Sequence, residues 1–543
     1  MPPYLGLSLD ITRYLRLLLV DNLELVLCNA TVAKYRKHLP LYGIVIKQQN
    51  SKHSKGRCSS EMMISQLLTT EQLETLSRQQ KRQLERKHQK KINSLKKRIS
   101  KTDLPVTFDN HSVTAFGCFG LLESFKQVIG FKDMLQQVKL VRHHNCQYSN
   151  TDLLDTIVDA LSLGLLRFSH METLQKDPGY QKIKDVLKVA DESTLRYFLD
   201  RLSEQKGSEQ LARLNQSILS LKAQCDSPRE VWLDIDDSVI TVFGQQKGSE
   251  IGYNPRYRGR ASYKIKVAFI SETGELVNVR LYGGKVASNG QFREFLKETL
   301  DILAAQKIIV KGIRIDKGFF DENNFVYLEE QNIEYIAKAK LSSTVRKIIS
   351  YLDEQNQWQP ISQHYAAGEI TIPLPQWTKA RRFAFIRESI KPKVDGKQIA
   401  LDLETYDYEV MVTSCEDLTP EAVWHEYNKR CNVENKIDEI KAGLGFEQMS
   451  QQEMERNSIF MWLKVLSYNL LNWFRLTLLD NQSSHFEVTT VRRKILNVPG
   501  NIVGQNRYRH IKLAPDAWLQ KLILFAKQKL KDFIYLRAWV AVN

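Results

Sequence analysis

The sequence predicts an α/β protein: a mixed-sheet core carrying an inserted β-rich subdomain, flanked by mostly helical N- and C-terminal regions. Three observations predict it. Apolar residues recur at helical spacing up to about residue 225, then switch to strict alternation near residue 230. Strands and helices alternate from there to residue 340, which indicates a mixed sheet. Residues 341–412 break that rhythm with short β-type runs, and helices return after residue 418. With 543 residues, several domains are expected. The divisions read 1–101 (basic helical extension), 102–228 (helical N-terminal domain), 229–340 (first part of the core), 341–415 (insertion), 416–480 (second part of the core) and 481–543 (basic helical end).

The formal charge of +16 points to a polyanionic partner, nucleic acid first. Its distribution says more than its total. Residues 1–101 hold 20 Lys+Arg against 7 Asp+Glu, and the other 442 residues hold 58 against 55. Residues 351–450 are acidic by 6, and residues 451–543 basic by 8.

Residues 1–50 read as helix-rich and 50–60 as a polar linker. Residues 70–101 form a basic helix candidate: from Arg78 to Lys101 there are eleven Lys/Arg and one acid, Glu85. A solvated helix and an arm on DNA phosphates are both open for it. Its neighbour at 103–225 is helical, with Asn150 or Thr151 and Ser193 as candidate caps. Seven scattered cysteines without C-x-x-C suggest neither a disulfide framework nor a cysteine zinc site, and His143, His144 and Cys146 lack the second half of a metal site. The apolar start is broken by Asp10, Arg13, Arg16, Asp21 and Glu24, so neither a membrane span nor a signal peptide is expected and a cytosolic setting is.

In the core, VWLDIDDSVITVF alternates, and SYKIKVAFI and GELVNVRLYGG follow across the turn SETG. A helix (QFREFLKETLDILAAQ), a strand (KIIVKGIRID), a helix (ENNFVYLEEQ) and a strand (IEYIAKA) complete it. Asp236 lies near the end of the first strand and Asp316 ends the fourth. Such carboxylates can converge on one hard divalent cation, which prefers oxygen ligands. Either acid alone reads first as a strand-end cap of the next turn. A helix over 418–445 supplies a third acid. At 100° per residue, with Tyr427 at zero, Arg430 falls near about −60°, Glu434 near about −20° and Lys441 near about −40°. Val433, Ile437 and Ile440 form the neighbouring apolar face. The helix can therefore pack on a sheet while presenting Glu434 beside two cations and a phenol.

The spacing Y-x2-R-x3-E-x6-K resembles the signature of one large branch of bacterial insertion-sequence transposases, whose DDE catalytic domain is RNase H-like and carries a β-strand insertion. LDIDDSVITVFGQQKGSEIGYNPRYRGRASYKIKVAF and IRIDKGFFDENNFVYLEEQNIEYIAKAK resemble that branch's first two catalytic blocks, and the likeness runs from about Leu104 to about Pro515. It implies an RNase H-like core in which Asp236, Asp316 and Glu434 are the catalytic, metal-binding triad for two Mg²⁺ ions, with Mn²⁺ able to substitute. Asp234 shares the strand face and is a rival first ligand, but the family pattern of Asp, any residue, then Ser or Thr selects Asp236 with Ser238. Tyr427, Arg430 and Lys441 would hold phosphates. Arg256, Arg258 and Arg260, and Lys338 and Lys340, could do likewise or be solvated loop charges. Trp377 could stack on a flipped base or be a structural tryptophan. The resemblance further implies a nucleoid-associated homodimer that cuts and joins terminal inverted repeats and target DNA, with no membrane and no small-molecule substrate. The alternatives are another RNase H-like nuclease such as a resolvase, or a non-catalytic DNA-binding descendant. Residues 1–101 depart from the family as an extension.

Overall fold

The computed structural model describes residues 77–99, 112–141, 146–226, 230–390, 405–504 and 508–542. The expectations for residues 1–60, and for His143 and His144, lie outside the described residues. The chain divides into two compact units, 1–108 and 109–543.

In the first unit, helix α1 (Arg78–Ile99) begins at Ser77. The Ser77 hydroxyl accepts from the Gln80 amide and the Gln80 side chain accepts from the Ser77 amide, at 3.3 and 2.9 Å, a reciprocal cap. None of its described side chains is buried. A helix polar on every side gains little from packing, as the thin apolar stripe foretells.

The second unit opens on strand β1 (Ser112–Thr114) and four principal helices: α2 (Phe119–Ile129), α3 (Asn150–Ser162), α4 (Glu192–Glu204) and α5 (Gly207–Cys225). The caps differ from expectation. Ser149 caps α3, in a capping box with Asp152, and Asp191 caps α4. Both lie in extended backbone one or two residues earlier, where a short side chain reaches the free amides of the first turn.

The core sheet runs β3-β4-β2-β6-β7, with β5 also on β4: β2 (Glu230–Thr241), β3 (Glu250–Ile251), β4 (Ala261–Ile270), β5 (Leu276–Gly283), β6 (Ile309–Ile315) and β7 (Glu334–Lys338). β2, β4 and β5 are an antiparallel meander, with Gly274 at φ +73° in the SETG turn. β6 and β7 are parallel to β2. Parallel strands need crossovers, supplied by α6 (Phe292–Ala304) and α7 (Glu322–Glu330). This is the RNase H-like mixed sheet the sequence predicts.

The insertion holds a helix that the β-type runs masked, α8 (Ser343–Glu354). Ser342 caps it, and Val345, Ile348, Ile349 and Leu352 are its buried face. Its strands β8 (Gln359–Pro360), β9 (Tyr365–Ile372), β10 (Arg381–Ile390) and β11 (Thr405–Thr413) build no separate sheet. β11 pairs antiparallel with β7 through Met411–Thr413, so the insertion extends the core sheet to ten strands.

Beyond it, the expected single helix at 418–445 is two: α9 (Pro420–Asn428) and α10 (Cys431–Leu444). Three i to i+3 bonds mark the break, from the amides of Arg430, Asn432 and Val433. The backbone tightens there into a 3₁₀-like turn and then resumes. Helix α11 (Met454–Leu478) follows and is buried on nearly every side, which explains its continuous apolar sequence. It packs against α3, α4 and α5. The chain ends with β12 (Gly500–Val503), β13 (His510–Leu513) and α12 (Ala517–Val542). β12 pairs with β1, and α12 packs on α2 and α11, so the C-terminal region closes on the N-terminal helices.

Candidate active site

Strand register brings the two aspartates together. In the parallel β2–β6 ladder, Asp234 stands opposite Arg314 and Ile235 opposite Ile315. Asp236 and Asp316 are the next residues on each strand. β6 ends there while β2 continues, paired only with β4 on its other side. Asp236 thus sits at the lip of the sheet.

Helices α9 and α10 close over this lip. Val433, Ile437 and Ile440 of α10 join the buried core with Ile240, Tyr263, Ile265 and Val267 of the sheet. That packing orients the other face. Arg430, at the turn between the helices, is nearly buried and binds two carboxylates at once: Nη2 to Asp236 Oδ2 at 2.8 Å and Nη1 to Glu434 Oε1 at 3.0 Å. Glu434 lies in the first turn of α10, where the helix dipole favours a negative charge. Its side chain is 61% exposed, whereas that of Asp236 is 16% exposed.

Burial raises the Asp236 carboxyl to about 6, with the charges of Asp237 and Asp316 adding to the effect, against the opposing pull of Arg430 and of the Asp237 amide, which donates to it. Burial likewise opposes charge on Arg430, but Asp236, Tyr427, Asp316 and Glu434 outweigh it and hold the guanidinium protonated. The Tyr427 hydroxyl is pushed far up, first by burial and then by Asp316 and Asp236, and so stays protonated. Lys338 lies 5.9 Å above the Tyr427 ring and pairs with Glu409 at 3.2 Å.

The rival Asp234 has a different role. Arg314, almost wholly buried, grips it through two bonds of 2.7 and 3.0 Å. The same guanidinium donates to Ser271 Oγ and to the carbonyl and carboxylate of Glu426, on α9. Asp234 is thus consumed by an ion pair that ties β2, β6 and α9 together. Sequence reasoning missed Arg314. The signal was a charge inside the apolar run KGIRID, two residues before Asp316.

The remaining candidates scatter. Lys441 and Arg256 line one cavity with Asp237 and Ser238. Arg260 lies over the Phe243 ring, and Arg258 and Lys340 are exposed. Trp377 is half-buried among Phe320, Phe325 and Phe383, with the Arg381 guanidinium 5.0 Å from its ring centroid.

The triad is an all-oxygen donor set, which suits a hard divalent cation, and two of its members already share one cationic group in Arg430. Its three carboxylates stand farther apart than a tight acidic cluster. Among the described residues, the acids whose oxygens lie within 4.8 Å of one another are Glu123, Asp155 and Asp159. That cluster is already occupied by side-chain cations. Lys126 and Lys184 each contact all three acids, and Tyr180 donates to Asp159 at 2.8 Å. It is a buried ion network rather than a metal site.

A family model for the "Transposase DDE domain group 1" matches residues 96–533. The chain belongs to the DDE transposase family. No curated protein is detectably similar to it. Among solved structures, a piggyBac transposase synaptic complex with hairpin DNA is similar at a TM-score of 0.35 and 13% identity, over 80% of this chain and 87% of that one. Membership implies nuclease and strand-transfer chemistry in general terms, and a divalent metal to support it.

Proposed function

We propose that the chain is a cut-and-paste transposase that cleaves and joins DNA at the terminal inverted repeats of its element. The observation that carries this reading is the convergence at the lip of the sheet. Asp236, within β2 rather than at its end, and Asp316, just past the end of β6, follow the last paired residues of the ladder, and Arg430 links Asp236 to Glu434 in the first turn of α10. Asp236, Asp316 and Glu434 would hold two Mg²⁺ ions, or Mn²⁺ in their place. Such ions, when bound, activate the attacking oxygen and stabilise the leaving one.

The chain's own residues do the rest. Arg430 and Lys441 present cations to the scissile backbone, and protonated Tyr427 offers a hydroxyl donor to a phosphate oxygen. Arg430 exchanges carboxylate partners for phosphate as DNA enters. Arg256, Arg258, Arg260, Lys338 and Lys340 would add separate phosphate contacts around it. Residues 102–228 hold the element's end, and a homodimer brings two ends together. Among the described residues no helix is long and apolar enough to cross a membrane.

The test is cleavage of a labelled duplex carrying the element's end, with and without Mg²⁺. Asp236→Asn, Asp316→Asn and Glu434→Gln are each expected to abolish cleavage while the labelled duplex still binds. Cleavage that survives in all three variants, or that needs no divalent metal, defeats the proposal.

A further inference from the structure

The ladder between β2 and β6 ends at Ile235 and Ile315, so the ladder itself does not fix Asp316 against Asp236. Asp316 instead opens a 3₁₀ turn, Lys317–Phe319, closed by the Phe319 amide on the Asp316 carbonyl at 2.9 Å. The segment between β5 and α6, residues 284–291, braces that turn. Ser288 lies so near Gly318 that a Cβ on the glycine would stand 2.9 Å from the serine's own. Asn289 donates to Asp321 Oδ2 at 3.0 Å and accepts from Asn324 at 2.6 Å. The Asn324 side chain also donates to the Phe319 carbonyl at 2.9 Å, and the Phe292 and Phe319 rings meet at 4.7 Å between centroids.

Two lysines of β4 in turn hold the brace. Lys266, fully buried, donates to the Ser288 carbonyl at 2.6 Å and to the Ala287 carbonyl at 3.3 Å. Its ammonium lies 5.4 and 5.6 Å from the Tyr282 and Phe319 ring centroids. Lys264, also buried, donates to Ser288 Oγ at 3.2 Å and pairs with Asp237 at 3.2 Å. The Asp237 amide closes the path by donating to Asp236 Oδ1 at 2.8 Å. Contacts therefore run without a gap from Asp236 through Asp237, Lys264 and Ser288 to the turn of Asp316.

This arrangement opposes stability. Burial pushes the Lys266 amine down to about 8, against the pull of Asp237. An apolar side chain of similar volume would fill the same space without desolvating a charge, so a buried lysine here is a poor device for holding the fold together. What its directed bonds supply is one fixed geometry for the brace. We propose that Lys264, Lys266, Ser288 and Asn289 are positioning residues that hold Asp236 and Asp316 at the separation a divalent cation needs. The inference rests on the metal-binding role proposed above for those aspartates. Loss of such outer-shell partners typically weakens metal binding by about 10–100-fold.

The test uses the full chain and Mn²⁺ alone, read by thermal unfolding, since a bound ion raises the melting temperature through its affinity. Wild-type protein is expected to be stabilised, and Asp236→Asn to abolish that rise, which assigns it to this site. Lys266→Met keeps the stem between the two rings and removes the donor. Asn289→Ala removes the bonds to Asp321 and Asn324 from an exposed position, and so reads the same bridge should the buried variant fail to fold. Each variant is expected to need at least about tenfold more Mn²⁺ for the same rise. A role in stability alone would lower the melting temperature of the metal-free protein and leave the Mn²⁺ requirement as it was. An unchanged requirement in either folded variant overturns the bridge alone. Wild-type protein without an Asp236-dependent rise overturns the metal reading and the bridge with it.

Discussion

Asp234 and Asp236 lie two residues apart on one strand face, yet unequal losses of stability are expected when each is changed to asparagine. Asp234→Asn leaves Arg314 almost fully buried with its main counter-charge removed. Breaking one partner of a buried pair costs about 3–5 kcal/mol, because the remaining charge stays desolvated. Glu426, at 3.1 Å, offsets part of this, which places the expectation at the lower end of that range. Asp236→Asn removes a carboxylate that burial has raised to about 6. At about 1.4 kcal/mol per pKa unit, the ionised group itself costs the fold on the order of 2–3 kcal/mol. The asparagine still offers Arg430 an oxygen. Arg430 loses this charged partner but keeps Glu434 at 3.0 Å, so the variant is expected to lose less stability than Asp234→Asn. Urea unfolding at neutral pH reads both. An Asp234→Asn midpoint equal to wild type would refute the structural role of the Arg314 pair. An Asp236→Asn protein as unstable as the Asp234 variant would refute the division of labour between the two acids.

Further expectations follow from single side chains. Lys464 is fully buried, donates to the Gly445 carbonyl at 2.6 Å, and is pushed down by burial to about 7 from 10.5. Unfolding therefore takes up a proton between those values, so stability is expected to rise as pH climbs from about 7 toward 10.5 and to show no such slope below 7. Lys464→Met should flatten that rise and be the more stable protein at pH 7 in a pH series of urea midpoints; an unaltered slope rejects the assignment. Trp377→Ala is expected to lose about 2–3 kcal/mol, less than a fully buried tryptophan, by emptying the cluster of Phe320, Phe325 and Phe383. An unchanged melting temperature would mean that the ring is not part of that packing. Gly252→Ala would place a Cβ 1.9 Å from the Gly284 carbonyl oxygen, so the chain around Gly252 is expected to shift and limited proteolysis there to quicken. Deleting residues 1–101 should weaken DNA binding and flatten its salt dependence, as anisotropy at several salt concentrations would show.

Much of the site was legible because it is written in local periodicity. Alternation around Leu233 and Ile235 put Asp234 and Asp236 on one face, and the spacing of Val433, Ile437 and Ile440 set which side of α10 is free. What escaped depends on partners distant in sequence. Nothing near Arg314 says that β2 will lie beside it, so its pairing with Asp234 appears only once register is known. β1 and β12 are short segments, and their meeting is decided by the helices between them. The break at Arg430 is a change from i+4 to i+3 bonding, which composition does not report.

The way the insertion joins the sheet bears on how this architecture can vary. The polypeptide leaves the core at β7 and returns through β11, and those two strands are hydrogen-bonded neighbours. Thr413 is followed within a few residues by α9, and then by the turn bearing Arg430. The distance from Asp316 to Glu434 is thus set by β7, β11 and two short connections. The hairpins of β8 to β10 add nothing to it. Whole hairpins could be gained or lost from that outer edge over evolutionary time without disturbing the spacing of the triad. The longest interval between the proposed catalytic residues is therefore the one most open to change.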